Sequence, residues 1–111
     1  MTEHAVRSAL AAVAAADDLI MRVLTPVLAR HDLTIEHFRA LRLLADVDGA
    51  TVGEIAARTG TTPSSTTRLV DRLVERNLAY RRPAPTDRRS VVLTMSDTGR
   101  SVWDSLVAEL G

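Results

Sequence analysis

Ser64, Ser65, Thr66 and Thr67 stand in a row, followed by Arg68 and, one turn later, Arg72. Short hydroxyls hydrogen-bond to phosphates or base edges, and a guanidinium reads guanine through two parallel hydrogen bonds. Small side chains also let a helix approach closely, so a helix opening with this run suits entry into a DNA major groove. A second group, Arg88 and Arg89, follows Pro83-Ala84-Pro85-Thr86-Asp87 and sets two guanidinia at a loop tip. Arg in that setting suits a narrow minor groove, whose negative potential attracts it. The plainer reading is that Ser and Thr cap a helix and the loop arginines are solvated. Bond-making chemistry has no comparable set of residues. There is no Cys, which excludes disulfides and thiolate metal sites within these residues. His4, His31 and His37 lack metal-ligand spacing, and no phosphate loop or nucleophile motif is present. Neither an enzyme nor a bound cofactor or metal is expected.

The hydroxyl run needs a helix held at a defined angle, and the residues around it supply one. Thr51-Val52-Gly53-Glu54 has the form of a capping box, with the Thr51 hydroxyl accepting from the Glu54 N–H and the Glu54 carboxylate reaching back to the Thr51 N–H. Ile55 and Ala56 are the expected buried positions of a short helix. Gly60 falls where a left-handed residue must join two helices. Thr62 caps the second helix, Pro63 suits its first turn, and Leu69, Val70, Leu73 and Val74 form one apolar stripe up to about Arg76. The spacing predicts a helix-turn-helix over 51–76.

Asn77 tolerates the left-handed conformation that ends a helix. Leu78 to Arg82 reads as a strand, the proline-containing segment as a loop, and Ser90 to Met95 as the returning strand, which makes residues 78–95 a wing. The alternative is a hairpin that only packs on the rest of the chain. Ser96-Asp97 caps a last helix over 96–110, with Val102, Trp103, Leu106, Val107 and Leu110 available for packing.

Upstream, Glu3 to about Arg30 has a helical pattern, with Val6, Leu10, Val13, Ile20, Leu24, Val27 and Leu28 largely on one face. Such a helix would be about 40 Å long, too long to be covered by 111 residues, so part of its apolar face seeks a partner chain. Asp17-Asp18 interrupts the Ala-rich run, which argues against a membrane span or a signal peptide. Pro26 should kink or restart the helix, with Thr25 as a local cap. Thr34 caps a second helix, Ile35 to about Asp46, whose core face includes Phe38, Leu41 and Leu44. Asp48-Gly49 is a turn, and Ala50-Thr51-Val52 is a candidate short strand.

The length suits one domain, and only three aromatic residues leave an aliphatic core. The net charge of zero hides a basic middle: residues 51–100 carry nine Arg against five acids, or +4, and the flanking stretches are each −2. All fourteen basic residues are Arg, which suits bidentate contacts but equally suits a compositional bias.

In this order, several pieces resemble the MarR family of bacterial transcriptional regulators. They are Leu33-Thr34 with Phe38-Arg39-Ala40-Leu41, Val52-Gly53-Glu54-Ile55-Ala56, and Thr66-Thr67-Arg68-Leu69-Val70-Asp71-Arg72-Leu73. Asn77-Leu78-Ala79-Tyr80-Arg81 follows, with Asn in place of Gly, then Asp87-Arg88-Arg89-Ser90, and Leu93, Met95, Ser96 and Gly99. The likeness covers nearly the whole chain. It implies a mainly α fold with a small β-hairpin, a winged helix-turn-helix with flanking dimerisation helices (residues 1–31 the long N-terminal one), and a cytoplasmic homodimer. Such a dimer binds double-stranded, pseudo-palindromic operator DNA as a repressor. Ser64, Ser65, Thr67, Arg68 and Arg72 would face the major groove and Arg88 and Arg89 the wing's DNA side, with Asp87 pairing with Arg89 to hold the wing's shape. Many members respond to small aromatic acids or phenols; here His31, His37, Arg39, Arg42 and Trp103 are candidates to line such a pocket. Family members continue into a longer C-terminal helical region, whereas the sequence read here ends at Gly111, which leaves the dimer to the first helix or to a different pairing. A second reading stays open: a winged-helix interaction module that pairs with another regulator and does not bind DNA by itself.

Overall fold

A computed structural model describes residues 1–111 as six helices and one hairpin. Helix α1 (Glu3–Leu19) passes through a single π-helical stretch (Ile20–Leu24) into α2 (Thr25–Arg30). Then come α3 (Ile35–Asp46), α4 (Val52–Thr59), α5 (Pro63–Glu75), β1 (Ala79–Pro83), β2 (Val91–Met95) and α6 (Asp97–Leu110). No helix is long and apolar enough to cross a membrane.

The α-helix restarts at Thr25 with Pro26 in its first turn, as expected, but it does so through an unbroken π-helical stretch, and Thr25 is not its cap. Proline lacks an N–H, and its ring collides with the carbonyl one turn earlier, so the chain widens by one residue instead of breaking. The Thr25 N–H bonds to the Ile20 carbonyl, and the Thr25 hydroxyl donates to the same oxygen at 2.8 Å. The helical run ends at Asp32, which takes a left-handed φ of 55°. Arg76, from the end of α5, donates to the carbonyls of Asp32 (2.5 Å) and His31 (2.9 Å), satisfying acceptors that the helix end leaves open.

The core is aliphatic. Leu28, Leu41, Leu44, Ile55, Leu73 and Leu106 are its largest fully buried apolar side chains, so α2, α3, α4, α5 and α6 all converge on it. Each such side chain contributes about 1.5–3 kcal/mol relative to exposure. Phe38 and Trp103 lie at its edge, half-buried, with ring centroids 5.3 Å apart. Helix α1 contributes nothing to the core: it has no buried residue, and Leu10 and Val13 are 63% and 58% exposed.

The two strands pair antiparallel, from Ala79 opposite Met95 to Pro83 opposite Val91. Of the expected strand at 50–52, only Ala50 pairs, in an isolated bridge to Leu93. Thr51 turns at once into the cap of α4. Asn77 does take the left-handed conformation, at φ 59°. The start of α6 presses against this turn. Ser96 donates through its hydroxyl to the Asn77 carbonyl at 2.6 Å, and a Cβ on Gly99 would lie 2.0 Å from the Leu78 oxygen.

Candidate nucleic-acid interface

The helix-turn-helix is built by local chemistry. The Thr51 hydroxyl accepts from the Glu54 N–H at 3.1 Å, but the return bond differs from a full capping box: Glu54 accepts from the Thr51 hydroxyl at 3.2 Å, not from its N–H. Gly60 closes α4 at φ 68°, where any side chain would be strained. Thr62 caps α5 by accepting from the Ser65 N–H at 3.3 Å, and Pro63 occupies the first turn.

A hydroxyl chain that sequence reading did not anticipate links the end of α4 to the first turns of α5. Buried Thr59 donates to the Ile55 carbonyl at 2.8 Å and meets Thr61 at 2.8 Å. Thr61 lies 2.5 Å from buried Thr66, which donates to the Thr62 carbonyl at 2.8 Å, so the single Thr61 proton serves either Thr59 or Thr66. The threonines crowded around Gly60 were the available signal.

With Thr66, Leu69, Val70 and Leu73 turned inward, α5 leaves Ser64, Thr67, Arg68 and Arg72 exposed and Ser65 half-buried. Thr67 donates its hydroxyl proton to the Pro63 carbonyl at 3.0 Å, so its oxygen is left to accept. Ser65 accepts from the Thr62 hydroxyl at 3.0 Å, which leaves its own proton unspent. Arg68 and Arg72 make no ion pair. Between them on the helix, Asp71 accepts from Arg81 of β1 at 2.5 Å.

At the wing tip, Arg88 and Arg89 are exposed and unpaired. Asp87 does shape the turn, but not by pairing with the Arg89 guanidinium. Its carboxylate accepts from the Arg89 backbone N–H at 2.9 Å and from the Ser90 hydroxyl at 3.2 Å, the usual behaviour of an Asp turn. The base of the wing is fastened by Arg82, which donates to the Thr94 hydroxyl at 2.8 Å and to the Asp48 carboxylate at 3.1 Å.

The five residues considered for one ligand pocket are not brought together. Arg39 and Arg42 line a cavity of about 320 Å³ with Ile20, Leu24, Ile35, Phe38 and Arg58. Arg58 was missed because only the crossing of α4 over α3 brings it there. Trp103 packs on Phe38 without lining the cavity, and His31 bonds to Glu109 at 3.0 Å. That bond, more than the neighbouring Arg30, holds the Glu109 carboxyl below its ordinary value. His37 instead lines a groove of about 400 Å³ between the start of α3 and α5, with Thr34, Ser65, Arg68 and Arg72. Its Nδ1 accepts from the Thr34 N–H at 3.0 Å, in the role that Glu or Gln plays in a capping box. Its Nε2 is buried without a partner. Burial first, then Arg76 and Arg72, lowers its pKa below the ordinary 6.5.

A family model described as the MarR family matches residues 31–90. The chain belongs to the MarR family. This is a family of transcription regulators, not of enzymes. The uncharacterized HTH-type transcriptional regulator YfiV of Bacillus subtilis (strain 168) is 31% identical over 75 residues, which are 68% of this chain and 47% of the relative. The chain thus spans about half the length of that curated relative. Among solved structures, RV1404 from Mycobacterium tuberculosis is 31% identical with a TM-score of 0.83, over 97% of this chain and 75% of that one. A MarR variant from E. coli complexed with operator DNA superposes with a TM-score of 0.75 at 23% identity, over 89% of this chain and 71% of that one, a likeness of fold. The MarR-family match ends at the wing tip; α6 lies beyond it.

Proposed function

We propose that this MarR-family chain is a sequence-specific DNA-binding repressor acting as a cytoplasmic homodimer on a pseudo-palindromic operator. The observation that carries this reading is the unspent face of α5: Arg68 and Arg72 are exposed and unpaired beside free hydroxyl valences, with two more unpaired guanidinia at the wing tip. α5 enters the major groove and Arg88 and Arg89 reach the adjacent minor groove. Asp87 keeps the tip's shape. The exposed apolar face of α1 supplies the pairing surface.

The effector is an aromatic acid. Its carboxylate meets Arg39, Arg42 and Arg58, none of which has an ion-pair partner, and its ring lies against Ile20, Leu24, Ile35 and Phe38. The cavity sits between the π-helical stretch, α3 and the last turn of α4, so filling it shifts these elements against one another.

The test is selection of bound sequences from random duplex DNA, with the mass of the complex measured on the selected site. A palindrome bound by two chains is expected. No enrichment would leave a module that acts by pairing with another regulator. On the selected site, Arg88→Ala should weaken binding across sequences and lower the salt slope by about one unit. Arg68→Ala should relax preference at one base pair, at about 1–3 kcal/mol.

A further inference from the structure

The free face of α5 carries a carboxylate where DNA would meet it. Asp71 lies one turn beyond Thr67 and Arg68 and next to Arg72, and it holds Arg81 at 2.5 Å. The two side chains are 49% and 46% exposed, and ion pairs this open to solvent add little to rigidity. The wing does not need this pair. Arg82, the next residue on β1, already ties it to Thr94 and Asp48, and Leu93 is bridged to Ala50. The pair does something else: it occupies Arg81, which would otherwise join Arg68, Arg72, Arg88 and Arg89 as a free guanidinium on α5 and the wing.

We propose that Asp71 and Arg81 are an exchange pair that sets DNA selectivity. On non-operator DNA the Asp71 carboxylate keeps Arg81 from the phosphates. On the operator, Asp71 accepts a hydrogen bond from a cytosine amino group in the major groove, and Arg81 passes to a phosphate. A backbone contact thereby becomes conditional on a correct base. This inference rests on the DNA-binding reading above.

The test compares the intact chain, Asp71→Asn, Arg81→Ala and the double variant on random duplex and on the selected operator, across a salt series. Each phosphate contact contributes about 0.9 to the slope of log affinity against log salt. Asp71→Asn should steepen the slope on random duplex by about 0.9, so that the loss between 50 and 200 mM salt grows about 3.5-fold. It should leave the operator slope unchanged and shrink the ratio of operator to random affinity. Arg81→Ala should flatten the operator slope by about 0.9 and leave the random slope alone, and the double variant should return the random slope to that of the intact chain. An unchanged random slope in Asp71→Asn, or a random slope altered by Arg81→Ala, overturns the exchange while leaving DNA binding in place. An intact chain that binds no duplex at any salt overturns both.

Discussion

His37 joins a helix start to the helix proposed to meet DNA, and its environment makes that junction sensitive to acid. The ring serves as an acceptor through Nδ1, so the neutral form fits the cap and the charged form does not. It also faces Arg72 and Arg76, which disfavour the charged ring further. The unfolded chain takes up this proton near the ordinary 6.5, and the folded chain only at lower pH. Between those values the unfolded state binds more protons, so His37's contribution is complete above 6.5 and is lost as the pH falls below it. His37→Gln, which keeps an acceptor for the Thr34 N–H, should flatten the decline in denaturant midpoint between pH 7.5 and 5.5. Parallel pH profiles for the two proteins would rule the role out. The sequence gives no hint of this behaviour. His37 is three residues after Thr34, which marks a cap, but its burial depends on α5 closing over it.

Helix boundaries were readable because their causes are local. Thr34, Thr51, Thr62 and Ser96 cap the helices they precede, and Gly60 and Asn77 take the left-handed turns expected of them. What escaped was chemistry set by packing. Pro26 could kink, break or widen a helix, and the sequence does not choose between these; the chain widened. The Asp71–Arg81 pair spans ten residues and the Arg82–Asp48 pair thirty-four, so neither leaves a periodic trace. The hydroxyl chain through Thr59, Thr61 and Thr66 joins α4 to α5, and we expect it to set how they cross. Thr66→Val keeps the shape and removes the hydroxyl. The Thr62 carbonyl still accepts from the Thr66 N–H at 2.8 Å, and half-exposed Thr61 can turn to water, so the expected loss is about 1 kcal/mol. Operator affinity should fall further than this loss of stability explains, because the angle of α5 is no longer pinned. Thermal melts and titrations on the selected site would separate the two effects, and equal affinities would show that the angle is held elsewhere.

Taken whole, the chain is elongated. Its radius of gyration is 15.9 Å, against about 13 Å for a compact chain of this length. The excess is α1, which stands clear of the core with Val6, Leu10 and Val13 exposed. Surface of that kind marks an interaction site, and the proposed homodimer would cover it. Introducing Leu10→Glu and Val13→Glu together should convert the proposed dimer to a monomer in sedimentation equilibrium while leaving the melting of the core nearly unchanged. A variant that still sediments as two chains would place the pairing surface elsewhere.

The contact between Phe38 and Trp103 also has an optical consequence. Trp103 is the only tryptophan in the chain, and Phe38, against which it packs, forms one wall of the arginine-lined cavity. Emission from this one indole therefore reports on the seam between α3 and α6 without any added dye. Because the chain has no cysteine, a single introduced thiol can carry an acceptor dye at any chosen point. The protein thus comes equipped for fluorescence measurements of whether α1 and the wing move when an aromatic acid is added.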